Sequence, residues 1–398
     1  MKVKVFDTQL TLCLFAASGM VRQSSLVVWK SIVSNTPRTL KDILPVMMSI
    51  IIRNLASPSY DRRTVAARTL GDLVRKLGES ILLEILPILE EGLESKDEDT
   101  RQGVSIALSE VMSTAGRVQV NDYVDSIIPS VRKALCDSSA EVREAAAQAF
   151  DTLHQCVGPK AIDEILPTLL NMLQSSDENS VHALEALKEI MAVRANVVFP
   201  VLIPTLIATP ISAFNARALG SLATVAGSAL NRRITTILGA LMNSLSAEED
   251  EETIQQLKDT TRSILLSIED DEGLHTLMAM LQEYARSEDP IKRAGACETA
   301  GIFYSESKLD ASRYVADWFR ILISLFGDRI PEVVRAAWAG LASVAKSVKK
   351  DDLDGLVSHI RRAVKNVGVA GVDLPGFCLP KVKHLTNFAI VNNLSISD

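Results

Sequence analysis

The apolar positions of this chain recur on two scales. The short scale is helical. Within Tyr123 to Cys136, Val124, Ile127, Ile128, Val131 and Leu135 keep mostly to intervals of three and four. Val142, Ala146, Ala149 and Leu153 draw a second stripe at intervals of four, three and four. Asp137-Ser138-Ser139 separates the two stripes as a polar turn, with Ser138 and Glu141 spaced as a capping box. Gly158-Pro159 ends the second stripe, because glycine accepts a left-handed cap and proline cannot continue the helix. Helix, short turn, helix, stop: the pattern predicts an antiparallel helical hairpin.

The long scale is a repeated phrase of two aliphatic residues followed by proline. Its copies are Ile43-Leu44-Pro45, Ile85-Leu86-Pro87, Ile127-Ile128-Pro129, Ile165-Leu166-Pro167 and Leu202-Ile203-Pro204, with the prolines 42, 42, 38 and 37 residues apart. A period near 40 is that of stacked supersecondary units, each too small to bury its apolar face alone. The chain is therefore predicted to be all-α, an α-solenoid of about nine hairpins over roughly residues 20 to 366. Three later units, near 231–268, 271–306 and 311–347, lack the phrase. The predicted organisation is an atypical segment 1–20, a solenoid 21–366 and an irregular tail 367–398.

Other marks keep the same period. The second helices open near a basic residue: Arg63, Arg101, Arg143, Arg217 and Arg335, with Lys292 and Arg293 in the eighth unit. Arg101 and Arg143 both fall 14 residues after their proline, and Asp137 and Asp328 occupy the preceding turns. Gly78, Gly116 and Gly227 take the stopping position of Gly158. Each phrase proline removes one helical hydrogen bond, so a kink in every unit would curve the stack regularly.

Leu-Pro in the first helix, Asp at the turn and Val-Arg opening the second resemble the HEAT repeat, in which Asp and Arg of adjacent units form a ladder. Longer stretches are more specific: Val28-Trp29-Lys30, VSNTPRTLKDILP, RTVAARTLGDLVRKLGE, ILPILEEGL, RKALCDSSAEVREAAAQAF and PGFCLP. They are similar to the very large translational activator of general amino-acid control, called ILITYHIA in plants, from about Val21 to Pro380. The resemblance implies a cytosolic, ribosome-associated scaffold. It would help switch on the kinase of the alpha subunit of initiation factor 2, especially at stalled or collided ribosomes. Family members are several times longer. This chain would be one section, after the elongation-factor-3-like part and at or before the kinase-binding part. Residues 1–20 and 381–398 depart from the resemblance and are expected to come from a truncated or mis-spliced gene model. No family site residue maps onto a position here, so catalytic, cofactor, metal and binding residues are all left unassigned.

Composition narrows the chemistry. With 47% hydrophobic but only 5% aromatic residues, the core is one of small and aliphatic side chains. A net charge of −7 gives no global drive towards nucleic acid or anionic membranes, though a local basic patch would still permit ribosome contact. Cys13, Cys136, Cys156, Cys297 and Cys378 are odd in number and scattered, which fits a reducing compartment. No run approaches the ~18 consecutive apolar residues of a membrane span. Lys2 and Lys4 before Leu10–Ala17 only imitate a signal peptide, with Asp7 interrupting.

His154, His182, His275, His359 and His384 share no ligand spacing with one another or with cysteine, so no zinc site is expected. No phosphate loop, nucleophile elbow or kinase signature occurs. Glu248-Glu249-Asp250-Glu251-Glu252 reads as a solvated loop within the seventh unit, or a dock for a basic segment. Lys346, Lys349, Lys350, Arg361, Arg362 and Lys365 read as an exposed basic edge, or a contact for RNA or an acidic tail. Trp29, Trp318 and Trp338 fall on helical stripes and are expected in the core. The expected function is a non-enzymatic scaffold without cofactor, partnered by the kinase and the ribosome. A transport adaptor or tubulin-binding array is the alternative, and an enzyme with a site between repeats the remote one.

Overall fold

The computed structural model describes residues 19–348, apart from 34–35, 79–80 and 175–177. All regular structure among them is helical. Helix α1 is Gly19–Ile32, and the hairpin of α2 (Thr36–Leu55) and α3 (Tyr60–Leu77) follows. Next come α4 (Leu82–Gly92) with α5 (Glu98–Thr114), then α6 (Arg117–Asp122) and α7 (Val124–Leu135) with α8 (Ala140–Val157). Helix α9 (Pro159–Leu173) is followed by α10 (Glu178–Leu206). Helix α10 leaves helical geometry at Arg194 (φ −135°, ψ 39°), so it is two helices, 178–193 and 195–206. Contacts divide the chain at this residue into two compact units, 1–194 and 195–398.

The second unit repeats the plan. It holds 195–206 with α11 (Ala213–Ala226), then α12 (Ser228–Asn231) and α13 (Ile234–Ala247) with α14 (Glu251–Leu266). The last two hairpins are α15 (Asp271–Tyr284) with α16 (Pro290–Glu306), and α17 (Ser312–Ser324) with α18 (Pro331–Ser347). A 3-10 turn, Leu325–Gly327, joins the final pair. Each unit is thus a stack of helical hairpins, the α-solenoid expected from the period. The predicted solenoid end at 366, the tail 367–398 and all but the last two residues of segment 1–20 lie outside the described residues.

The phrase of two aliphatics and proline reads inward, inward, outward. Both aliphatics of all five copies are buried, and all five prolines are exposed. The reason is the missing N–H. Proline leaves the carbonyl four residues earlier without a partner, and on the solvent side water can supply one. Those carbonyl residues, Lys41, Leu83, Asp125 and Asp163, are themselves exposed in the first four copies. On the buried side the same gap would leave an unsatisfied acceptor, which costs about 1–3 kcal/mol.

Two predicted boundaries are corrected. The cap of α8 is Ser139, whose hydroxyl accepts from the Val142 N–H, rather than Ser138. Glu141 then sits one place early for the box, and its carboxylate accepts from the Ser139 hydroxyl instead. Gly78, Gly158 and Gly227 have positive φ, as a glycine stop requires, but Gly116 has φ −68°. There α5 already ends at Ala115, and Gly116 opens α6 with its N–H donating to Gln119 Oε1 at 2.8 Å.

Close helix contact depends on glycine elsewhere. A Cβ at Gly103 would collide with the backbone carbonyl of Leu55, and one at Gly340 would lie 2.8 Å from the carbonyl oxygen of Cys297. Across the α16–α18 crossing, Gly301 meets Gly340 itself, with 3.3 Å from an added Cβ to the opposing Cα. Gly103→Ala is therefore expected to destabilise by about 1–3 kcal/mol, as overpacking does. Gly158→Ala has open space around it but φ +66°, and is expected to cost about 1–3 kcal/mol through backbone strain alone. Urea unfolding measures both; midpoints unchanged from the parent would contradict the packing and the strain respectively.

Candidate functional site

The fourth residue of a second helix is the recurring polar position. In α3, α5, α8 and α16 it is Arg63, Arg101, Arg143 and Arg293. Arg101 shows its geometry in full. Nη1 donates to the carbonyls of Ser95 (3.0 Å) and Lys96 (3.2 Å), in the turn leading into its own helix. Nε and Nη2 donate to Asp137 Oδ2 (2.6 Å) and Oδ1 (2.9 Å), in the turn of the next hairpin. Arg293 repeats this with the carbonyls of Ser287 (2.9 Å) and Glu288 (2.7 Å) and with Asp328 at 2.7 and 3.0 Å. Only a planar guanidinium has enough fixed donors to close one turn and clamp a carboxylate side-on.

The other two rungs vary the theme. Arg143 donates to the carbonyls of Asp137 (2.8 Å) and Ser138 (3.0 Å). Asp137 is thus gripped by its carboxylate from one unit and by its carbonyl from the next. Arg63 donates to the Ser57 carbonyl at 2.6 Å, but its partners across the interface are Asp99 and the amide oxygen of Gln102, both within α5. The turn position equivalent to Asp137 is Ser95 there, so the acceptor moves into the helix.

Two predicted members do not join the ladder. Helix α11 starts at Ala213 and α18 at Pro331, so their fourth residues are Ala216 and Val334. Arg217 and Arg335 come one residue later, about 100° further round the helix, and both are exposed. Arg335 pairs with Glu332 on its own helix, at 2.8 Å. In the eighth unit Arg293 rather than Lys292 makes the rung; the Lys292 ammonium lies 5.2 Å from the Tyr284 ring centroid. Pro290 and Pro331, each the first residue of its helix, were the sequence signal that fixes this register.

Partners without charge stand in where arginine is missing, and the sequence reading did not find them. Thr260 Oγ1 in α14 donates to the Ala216 carbonyl at 2.8 Å. Buried Asn231 donates to both oxygens of Asp270 at 2.9 Å, while Asp270 caps α15 through the Gly273 N–H.

Electrostatics follow this geometry. Burial, the largest single influence, pushes the Asp137 carboxyl up. The Arg101 hydrogen bonds, the Ser139 N–H and the two arginine charges together hold it below its ordinary 3.8. Asp328 behaves likewise under burial, Arg293 and the Ile330 N–H.

The remaining candidates keep structural places. His154 is half-buried, and burial, then the Arg194 charge, lowers its pKa. His182 is half-buried in α10, and His275 Nδ1 meets the Tyr314 hydroxyl at 3.0 Å on the surface. The thiols of Cys136, Cys156 and Cys297 are pushed up by burial, Cys297 to about 12, so they stay protonated and weakly nucleophilic. Among the described residues no His, Cys and carboxylate group could hold a metal, and no helix is long and apolar enough to cross a membrane. Asp250 of the acidic run caps α14 through the Thr253 N–H at 2.8 Å, and Glu251 and Glu252 face its positive end. Trp29 and Trp318 are buried; Trp338 is half-buried, tilted against Phe326. Lys346 is exposed, whereas Cys13, Cys378, His359, His384 and Lys349 onward lie outside the described residues.

The rungs generate two predictions. Arg101→Ala is expected to cost roughly 2 kcal/mol, since it strands a half-buried carboxylate and two carbonyls. Arg335→Ala should cost under about 0.5 kcal/mol, as exposed pairs do. Equal effects in urea unfolding would refute the register. Asp137 and Asp328 have lower pKa values folded than unfolded. Their stabilisation is thus present above the unfolded value of 3.8 and is lost as pH falls through the lower folded value. Asp137→Asn with Asp328→Asn should flatten the fall of stability below about pH 4; an unaltered acid limb would count against it.

The family profile "Stalled ribosome sensor GCN1-like, HEAT repeats" matches residues 198–381, and the EF3 N-terminal HEAT repeat profile matches 22–150 and 62–212. The chain is 43% identical over 364 residues to "Stalled ribosome sensor GCN1" of Mus musculus, covering 91% of this chain and 14% of that one. It is 42% identical over 374 residues to "eIF-2-alpha kinase activator GCN1" of Saccharomyces cerevisiae, covering 94% and 14%. To "Protein ILITYHIA" of Arabidopsis thaliana it is 44% identical over 371 residues, covering 91% and 14%. The chain thus spans about one seventh of the length of these relatives. With such identity running through the laddered and the unladdered hairpins alike, the chain belongs to the GCN1 family of HEAT-repeat proteins.

Proposed function

We propose that this chain is one section of a non-enzymatic scaffold that associates with stalled ribosomes and promotes activation of the initiation factor 2 alpha kinase under amino-acid starvation. The observation that carries the reading is 43% identity over 91% of the chain to a relative named as a stalled ribosome sensor. The yeast relative's name as a kinase activator adds the second partner. The hairpin stack supports the same conclusion physically. It repeats a helix face and a loop edge every roughly 8–10 Å, which suits a long contact line along a large partner, and cytoplasmic ribosomes are such a partner.

The work of this section is positional. Guanidinium rungs and buried aliphatics fix the spacing of neighbouring hairpins, so groups displayed on their edges keep a defined separation. Nothing here requires a substrate pocket or a cofactor.

Gradient sedimentation of lysates from starved cells tests the reading, using the full-length protein that contains this stretch. It is expected to travel with ribosomes, and deleting the stretch equivalent to residues 36–347 should weaken that association and lower phosphorylation of initiation factor 2 alpha. A full-length protein absent from ribosomal fractions, or a deletion without effect on either readout, would overturn it.

A further inference from the structure

The net charge of −7 conceals a polarised chain. Residues 19–77 carry ten Lys and Arg against three Asp and Glu, while residues 78–348 carry 23 against 40. Three helices are therefore at +7 and the following stretch at −17. Salt screens charges beyond about 8 Å at physiological strength, so the first helices present their own field rather than the average.

We infer that the surface of α1, α2 and α3 binds RNA through its phosphates, a role that rests on the ribosome reading above and names the ligand chemistry of this part. Arg63 is buried in the ladder, but Lys30, Arg38, Lys41, Arg53, Arg62, Arg68, Arg75 and Lys76 are exposed. Lys30, Lys41, Arg53 and Arg62 are exposed, and no ion pair holds them among the described residues. The Arg68 and Arg75 side chains are 66% and 64% exposed beside Glu110 and Asp72. Only Asp42 and Asp61 are exposed acids on the same helices.

Chain topology gathers these groups. Helices α2 and α3 form an antiparallel pair. The start of α2, with Arg38 and Lys41, and the end of α3, with Arg75 and Lys76, therefore share one edge, and Lys30 lies six residues before α2 begins. Arg53 and Arg62 flank the opposite turn, about 30 Å along a 20-residue helix at 1.5 Å per residue. That span covers several phosphates of a nucleic acid strand.

Arginine makes up five of these eight exposed cations, and its planar fork matches phosphate oxygens side-on. Tyr60, 58% exposed at the start of α3, has the Arg63 guanidinium 5.8 Å from its ring centroid and offers the exposed part of the ring to a base. An acidic protein tail would use the same charge and the same fork, but not the ring.

The test is fluorescence anisotropy of the full 398-residue chain with a fluorescein-labelled 20-nucleotide single-stranded RNA and with poly-L-glutamate, across a salt series. RNA is expected to bind more tightly than poly-L-glutamate. The quadruple variant K30E/K41E/R53E/R62E should weaken RNA binding by about tenfold or more and reduce the salt slope by about 3. The neutral set K30Q/K41Q/R53Q/R62Q serves if the reversed one fails to fold by circular dichroism. Reversing Lys258, Arg286 and Lys346, exposed elsewhere, should leave affinity within about twofold. An RNA affinity untouched by either quadruple set, or tighter binding of poly-L-glutamate, overturns the inference. Ribosome sedimentation separates the two claims. A full-length protein that sediments with ribosomes while this chain ignores RNA defeats only the RNA surface. RNA binding without ribosome association defeats the scaffold reading instead.

Discussion

A turn between two helices exposes carbonyls that the helices cannot satisfy, and stacked hairpins must close many such turns side by side. The arginine at the fourth position of the second helix meets that demand here. Its Nη1 draws in carbonyls five and six residues back, as in Arg101 with Ser95 and Lys96. Its remaining edge is left to reach Asp137. One side chain therefore sets both the shape of a turn and its distance from the next. Because the guanidinium is rigid, error in one hairpin is not absorbed by the side chain and the register carries along the stack.

Magnitudes divide the labour between this ladder and the core. Burying one Leu or Ile stabilises by about 1.5–3 kcal/mol, and each hairpin buries many, for example Ile162, Ile165, Leu166 and Leu169 on α9. A half-buried rung contributes less, since desolvation of both ions opposes the attraction. Apolar burial holds the hairpins together, and the rungs decide how they are aligned. The glycine crossings are consistent with that division. Gly301 against Gly340 brings α16 and α18 close enough that sideways slip meets backbone rather than yielding side chains. In the hairpins whose fourth residue is Ala216 or Val334, alignment rests on such contacts and on short hydroxyl bonds like Thr260 to Ala216.

The fold was legible because its signals are periodic and local. Ile85-Leu86-Pro87 shows two buried residues and an exposed proline wherever it occurs, and Gly158 needs its left-handed conformation irrespective of the neighbours. The ladder was only half legible, for a geometric reason. A basic residue near a helix start is easy to see, but its function turns on one step of 100°, and one step separates Arg293 from Lys292 and Val334 from Arg335. Counting from the first residue of the helix resolves the choice, and the helix start is the least certain boundary in a sequence. Gly116 failed similarly: a glycine at the right interval proved to begin a helix rather than end one. Gln102, Thr260 and Asn231 carry no sequence signal, since amides and hydroxyls acquire a partner only once another hairpin is packed against them.

Averages over the chain are poor guides to an array of this kind. In a compact domain, net charge spreads over one surface and describes the approach of any partner. In a stack where each unit touches only its neighbours, a basic stretch is not neutralised by acids many units away, because screening ends their reach within about one helix diameter. A total of −7 then says little, while the change of sign after Leu77 says where opposite partners could sit on one chain. The constraint that makes the fold extendable, contact between nearest neighbours alone, also frees each hairpin's surface to diverge. A family of such proteins can keep its rungs and its buried aliphatics while assigning different partners to different stretches.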